Sequence, residues 1–148
     1  MEPVGLHKKG EIDLNQILDQ FSKLPRYREA GAVACFLGVV REDPVRESEA
    51  KVTHLEYEAY TQVALKQMHA IREAMLKRPG IIDVAIHHVV DSLAVGEPSL
   101  FVVVLGKHRH EAFPVLSETV ERVKQEVPIW KKEFTTKESY WVSTEQHR

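Results

Sequence analysis

Residues 108–133 constrain the chain more than any other stretch. They read His-Arg-His-Glu-Ala-Phe at one end and Val-Pro-Ile-Trp-Lys-Lys-Glu at the other. Between these ends Ala112, Val115, Leu116, Val120, Val123 and Val127 recur at three- and four-residue spacings, which places them on one face of a helix. Pro114 is assigned to the first turn, where its missing N–H is tolerated. Pro128 ends the helix, because the residue before a proline is driven out of helical geometry. Lys124 borders the apolar stripe, and Lys131 and Lys132 follow the helix end beside Trp130. His108 and Arg109 precede its start, where unpaired backbone N–H groups attract anions. Cations thus gather at both ends of one helix and outline an anion site. From the residues alone a plainer reading stands beside it: solvated lysines around a buried tryptophan, and a solvated capping loop.

The rest of the chain supplies a frame for that helix. Val4 to His7 reads as a short strand. Leu14, Ile17, Leu18 and Phe21 form a short helical pattern with Asp13 placed to cap it. Lys23 to Ala30 is a polar connection. Ala32 to Val40 is almost continuously apolar and reads as a strand buried on both faces, with Gly38 marking a bulge. Residues 42–51 are charged and patternless, a surface loop. Val52 to Tyr60 alternates as a half-buried strand, with Leu55, Tyr57 and Ala59 on its inner face. Ala64, Met68, Ile71 and Met75 step by four, three and four along a longer helix stopped by Pro79-Gly80. Strands follow at Ile81 to Val90 and Leu100 to Leu105, with a turn around Gly96-Glu97-Pro98, and a last short strand at Tyr140 to Val142. This order is α+β, or mixed α/β, and residues 1–148 read as one domain.

Several function classes fall away. The formal net charge is -2, so a nucleic-acid role has no support in the total. No apolar run approaches the length of a membrane span, and no charged-then-apolar leader is evident, so a cytoplasmic protein is expected. Cys35, the single cysteine, lies in the apolar run of residues 32–40 and is expected to be a small buried core residue. His87 and His88 are adjacent, so on a strand they point to opposite faces. With no compact ligand spacing elsewhere, no metal is expected. Glu56 and Glu58 share a strand face and read as solvated carboxylates rather than a catalytic pair. The glycines show no phosphate-loop spacing.

Five ordered strings sharpen the reading: Phe36-Leu37-Gly38-Val39-Val40-Arg41, Leu55-Glu56-Tyr57-Glu58-Ala59-Tyr60, Val95-Gly96-Glu97, His108-Arg109-x-Glu111-Ala112-Phe113, and Val127-Pro128-Ile129-Trp130-Lys131-Lys132-Glu133. Together, over about residues 28–142, they resemble the large, catalytic subunit of molybdopterin synthase, the MoaE family. The resemblance implies an α/β hammerhead-type fold, with an antiparallel-rich sheet, two longer helices and a short N-terminal one. It implies conversion of cyclic pyranopterin monophosphate to molybdopterin, with two sulfurs delivered from the thiocarboxylated C-terminus of a small ubiquitin-like subunit. No further cofactor is implied. The implied assembly is a homodimer of large subunits within a heterotetramer of two large and two small chains.

Carried over by motif, Lys124 and Lys131 are the catalytic pair, the first as general acid/base or covalent helper, the second as charge stabiliser and contact for the incoming tail. Val39, Val40, Arg41, His108, Arg109, Lys132 and Glu133 join both lysines as substrate-binding positions, some of them serving the neighbouring subunit's pocket. Three departures bear on substrate contact. Val89-Val90-Asp91 stands where the family commonly has Arg-x-Gly, the loop after Arg41 carries Pro44 and glutamates in place of glycine, and Gly106-Lys107 precedes His108. Against the enzyme stands a reading of another class: a non-catalytic module that docks a ubiquitin-like sulfur carrier. The full set of Lys124, Lys131, Arg41, His108 and Arg109 favours the enzyme, since docking alone does not need it.

Overall fold

The computed structural model describes residues 1–42, 51–135 and 139–142. In chain order its elements are β1 (Val4–His7), α1 (Leu14–Ser22), a 3-10 turn (Pro25–Glu29), β2 (Ala32–Val39), β3 (Val52–Ala59), α2 (Thr61–Leu76), β4 (Ile81–Val89), β5 (Ser92–Ala94), β6 (Pro98–Gly106), α3 (Arg109–Glu126), β7 (Ile129–Thr135) and β8 (Ser139–Val142). Most of the charged loop expected over 42–51 lies outside the described residues.

The strands form two four-stranded sheets, ordered β1-β4-β6-β2 and β5-β3-β7-β8. Only the β1–β4 pair is parallel among the described strands. The first sheet is the middle layer. Leu100, Val102 and Val104 of β6 join Val84 and Ile86 of β4 against Met68, Ile71 and Met75 of α2 and Val115 and Val123 of α3. The alternate residues Phe101, Val103 and Leu105 face Ile17 and Phe21 of α1 and Leu55 and Leu93 of the second sheet. Cover on both faces is why β6 is apolar from Leu100 to Leu105 without alternation.

Local signals place the helices. Asp13 accepts from the Gln16 amide at 2.8 Å while the Gln16 side chain accepts from the Asp13 amide at 2.7 Å, a complete capping box at the start of α1. The buried positions of α2 are Ala64, Met68, Ile71 and Met75, as the spacing requires. Past its end Gly80 adopts φ 77°, a left-handed geometry that a side chain would strain. The connection containing Pro25 is not irregular: it winds into a 3-10 turn, with proline in its first turn.

Four expectations need correction. β2 is an edge strand with one open face: Val33, Leu37 and Val39 are 38%, 43% and 49% exposed, and Cys35 is exposed as well. Their cross-strand neighbours Leu105, Val103 and Phe101 are covered by α1 and the second sheet, but that cover stops short of the edge. Pro114 lies inside α3 rather than in its first turn, because the helix begins at Arg109, capped by His108. There it leaves the His110 carbonyl without an amide donor one turn on. The residues after Pro128 form β7, paired with β3 from Val52 to Ala59. Trp130 is 41% exposed, which removes the buried tryptophan of the plainer reading. The predicted bulge at Gly38 is present as a register shift between Gly38 and Val39. No helix among the described residues is long and apolar enough to cross a membrane.

Candidate active site

A cavity of about 660 Å³ opens where the two sheets meet the C-terminal end of α3. Six elements line it. The end of β2 contributes the Phe36–Arg41 stretch, and β3 contributes Val52, Leu55 and Tyr57. His88 enters from β4 and Ser99 from β6, while α3 adds Val123 and Lys124, and β7 adds Trp130, Lys131 and Glu133.

The turn after α3 brings the two lysines together. α3 ends at Glu126, and Val127, with φ -87° and ψ 126°, swings the chain into β7. Lys131 then stands opposite Tyr57 of β3, and Glu133 opposite Leu55. Because side chains alternate along a strand, Lys131 and Glu133 share the cavity face and Lys132 takes the other. Lys132 lies over the rings of Phe134 and Trp141, at 5.5 and 5.6 Å, away from the cavity. Lys124 sits 5.8 Å from the Phe36 ring centroid, a cation–π approach that aims its ammonium at the end of β2.

That end of β2 is fixed from behind. The Val40 amide donates to the Glu97 carbonyl at 3.0 Å, and the Gly96 amide donates to the Val40 carbonyl at 2.8 Å. Val40 is therefore buried, while Val39 and Arg41 are exposed and line the cavity. Gly38 is close-packed: a Cβ there would meet Phe36 at 3.2 Å and Leu100 at 3.4 Å. Its carbonyl accepts from the Ser99 hydroxyl at 3.3 Å.

Polar groups stand beside the cations. Tyr57 hydrogen-bonds Ser99, and burial pushes its phenol above the usual range, with Glu133 adding to the rise. Glu133 is 1% exposed. His88 packs edge-on to Tyr57, with ring centroids 5.1 Å apart. Burial lowers His88 to about 4, and the nearby charges of Lys131 and Lys124 push the same way. Spacing along β4 places His87 on the opposite face, where its Nδ1 meets Nε2 of His7 at 2.8 Å. The thiol of Cys35, outside the cavity, is raised by desolvation and is not an activated nucleophile. No group of three or more His, Cys, Asp or Glu among the described residues is placed to hold a metal ion.

One chain therefore brings Lys124, Lys131, Val39, Val40, Arg41 and Glu133 to one cavity, and leaves His108, Arg109 and Lys132 out of it. His108 and Arg109 are exposed at the start of α3. Fifteen residues separate Arg109 from Lys124, about 22 Å along a helix axis. Sequence reasoning had passed over Tyr57, His88 and Ser99 as site residues. For His88 the signal was the parity of β4, which sets it opposite His87.

The sequence matches the family model described as "MoaE protein" over residues 7–126. The chain belongs to the MoaE family. It is 39% identical over 144 residues to a molybdopterin synthase catalytic subunit of Pyrococcus abyssi, covering 97% of this chain and 93% of that one. Its fold is similar to molybdopterin synthase from Staphylococcus aureus, with a TM-score of 0.83, 31% identity and coverage of 96% and 98%. A further likeness, at TM-score 0.75 and 19% identity, covers 95% of this chain and 90% of a chain from a complex of subunits 1 and 2 of the Helicobacter pylori molybdopterin-converting factor, and speaks to the fold alone. In the MoaE frame one of the departures noted above has a local role. Asp91 accepts from the Lys9 amide at 3.1 Å and the Ser92 amide at 2.8 Å, tying the end of β4 to the segment after β1.

Proposed function

We propose that this chain is the catalytic subunit of a molybdopterin synthase, converting cyclic pyranopterin monophosphate to molybdopterin in the cytoplasm. The sulfurs come from the thiocarboxylate of a small ubiquitin-like subunit. One observation carries the reading: in a chain of this family, a single cavity joins Lys124 and Lys131 to the Val39–Arg41 end of β2. Its volume of about 660 Å³ lies in the range of about 300–1,000 Å³ typical of small-molecule sites. A docking module has no need of such a chamber.

The chemistry follows from charge. The substrate's phosphate is anionic, and so is the incoming thiocarboxylate. Arg41 offers a planar fork for phosphate oxygens, and the lysines offer mobile point charges. As sulfur attacks and the cyclic phosphate opens, negative charge develops on the leaving oxygen. An ammonium held there by Phe36 and the end of α3 stabilises it and can deliver a proton, which is the role of Lys124. Lys131, fixed on β7 rather than on a loop, holds the tail's carboxyl group. Lys132 lies on the outer face of β7, where it belongs to the rim met by the partner rather than to the chemistry.

His108 and Arg109 complete the set from a second copy of the chain. The exposed strip Val33, Cys35, Leu37 and Val39 on an edge strand supports such pairing, since apolar edge strands in soluble proteins are normally covered. The assembly is then two large subunits at the centre and two small ones outside. Purified protein, mixed with thiocarboxylated small subunit and the cyclic precursor, should yield a dithiolene product detectable by its oxidised fluorescent derivative. Stable binding of the carrier with no product would instead establish the docking module.

A further inference from the structure

His88 is the one cavity-lining group whose chemical state is dictated by its backbone surroundings. Its Nδ1 lies 2.8 Å from the carbonyl oxygen of Val89. A carbonyl can only accept, so Nδ1 carries the hydrogen. The ring is neutral at physiological pH, because burial and the two neighbouring lysines hold its pKa near 4. A neutral imidazole with hydrogen on Nδ1 has its lone pair on Nε2. Among the described residues Nε2 bonds to no protein atom. Nor is it sealed off: the fully enclosed polar side-chain atoms without partners are carboxylate oxygens of Glu97 and Glu111. His88 lines the cavity, so this lone pair opens onto it.

The surroundings decide what it can receive. Arg41, Lys124 and Lys131 bring hydrogen-bond donors and positive charge to the same cavity. The Tyr57 and Ser99 hydroxyls are engaged with each other and with the Gly38 carbonyl. A phosphorylated heterocycle needs two unlike surfaces, cations for its phosphate and acceptors for its ring N–H and O–H groups. We propose that His88 is a substrate-binding residue whose Nε2 accepts a hydrogen bond from an N–H or O–H of the substrate's fused ring, setting the ring's orientation while the cations hold the phosphate. The proposal rests on the synthase reading above. It adds a neutral acceptor, a contact that the cations cannot make. Discrimination follows too, since an analogue without that hydrogen leaves a desolvated acceptor unpaired.

Two near-isosteric variants separate the two ring nitrogens. In His88→Asn the side-chain amide sits at the Nδ1 position, keeping the bond to Val89 and losing the acceptor in the cavity. In His88→Gln an amide oxygen reaches the Nε2 position, keeping the acceptor and losing the Val89 bond. Binding of cyclic pyranopterin monophosphate to the purified protein is measured by calorimetry, and turnover with thiocarboxylated carrier in parallel. His88→Asn should bind the precursor at least tenfold more weakly, with kcat reduced less than KM is raised. His88→Gln should bind within about threefold of wild type. If His88→Asn does not fold, His88→Gln decides alone. A folded His88→Gln that loses tenfold in affinity, or a His88→Asn that binds like wild type, overturns the proposal. So does a fall in kcat at unchanged affinity, which would assign Nε2 to a lysine instead. Failure of the synthase reading looks different, because wild-type protein itself would then neither bind the precursor nor form product.

Discussion

At the scale of single residues, Lys124 combines an exposed position with a directed ammonium. Truncation should therefore spare the fold, costing no more than about 1 kcal/mol for the lost contact with Phe36. Lys124→Ala is expected to melt within a few degrees of wild type while product formation nearly vanishes. Lys124→Arg should fail as well, since a guanidinium keeps its proton. A Lys124→Ala protein with most of its activity would remove the assigned role. Arg41 acts differently if it clamps phosphate in ground and transition states alike: Arg41→Ala should raise KM more than it lowers kcat, and steady-state kinetics will show which parameter moves. The histidines of β4 give a pH signature. Burial, with help from His7 and the N-terminal amine for His87 and from the lysines for His88, depresses both from 6.5 to about 4. Above the unfolded value both states are neutral. As pH falls from 6.5 towards 4 the unfolded chain takes up protons that the folded chain refuses, so stability drops, by on the order of 3 kcal/mol per histidine. Urea denaturation at pH 7 and at the lower end of that window checks it, and unchanged unfolding free energy would contradict the burial argument.

At the scale of elements, the sequence spoke clearly wherever one face of a helix meets a core. The four-three-four step of Ala64, Met68, Ile71 and Met75 appears unchanged as the buried face of α2, and the Asp13 cap was readable from its residue type alone. Replacing Asp13 by Ala should remove the cap bond and cost about 1 kcal/mol, seen as a lowered thermal midpoint. Gly80→Ala should cost about 1–2 kcal/mol, through its left-handed φ and contact with Glu111. Reading failed where pairing, not periodicity, sets the structure. β7 carries Trp-Lys-Lys-Glu, which shows no core-facing pattern because one of its faces lines a cavity and the other lies beside Trp141. β2 misled in the opposite direction. Its apolar run imitates the doubly covered β4 and β6, yet the described residues cover only one of its faces. The site was legible in the same uneven way. Lys131 and Arg41 stood in recognisable strings and Lys124 beside a helical stripe, whereas the meeting of His88, Ser99 and Tyr57 in the cavity comes from sheet topology, which no local string encodes.

At the scale of the whole molecule, two features bear on assembly. An apolar strip on β2 that the described residues leave open and a basic helix start about 22 Å from the cavity at the other end of α3 both fit the proposed second copy. On the proposed reading, a small subunit docks so that its extended Gly-Gly end, narrow enough to thread where side chains would clash, reaches Lys131. The tail is too short to make a stable interface alone, so most affinity should come from contact between folded domains. Deleting the two glycines should abolish turnover and leave much of the docking affinity, which sedimentation of intact and truncated carrier can compare. The sharing of sites between copies makes a stricter demand. If Arg109 serves the partner's cavity, Lys124→Ala and Arg109→Ala damage different halves of the same site. Mixing the two variants through unfolding and refolding creates hybrid dimers with one doubly damaged site and one intact site. With random pairing half the dimers are hybrids, so activity at limiting substrate should recover to about a quarter of wild type, well above either variant alone. If both residues serve the cavity of their own chain, no intact site ever forms and mixing restores nothing.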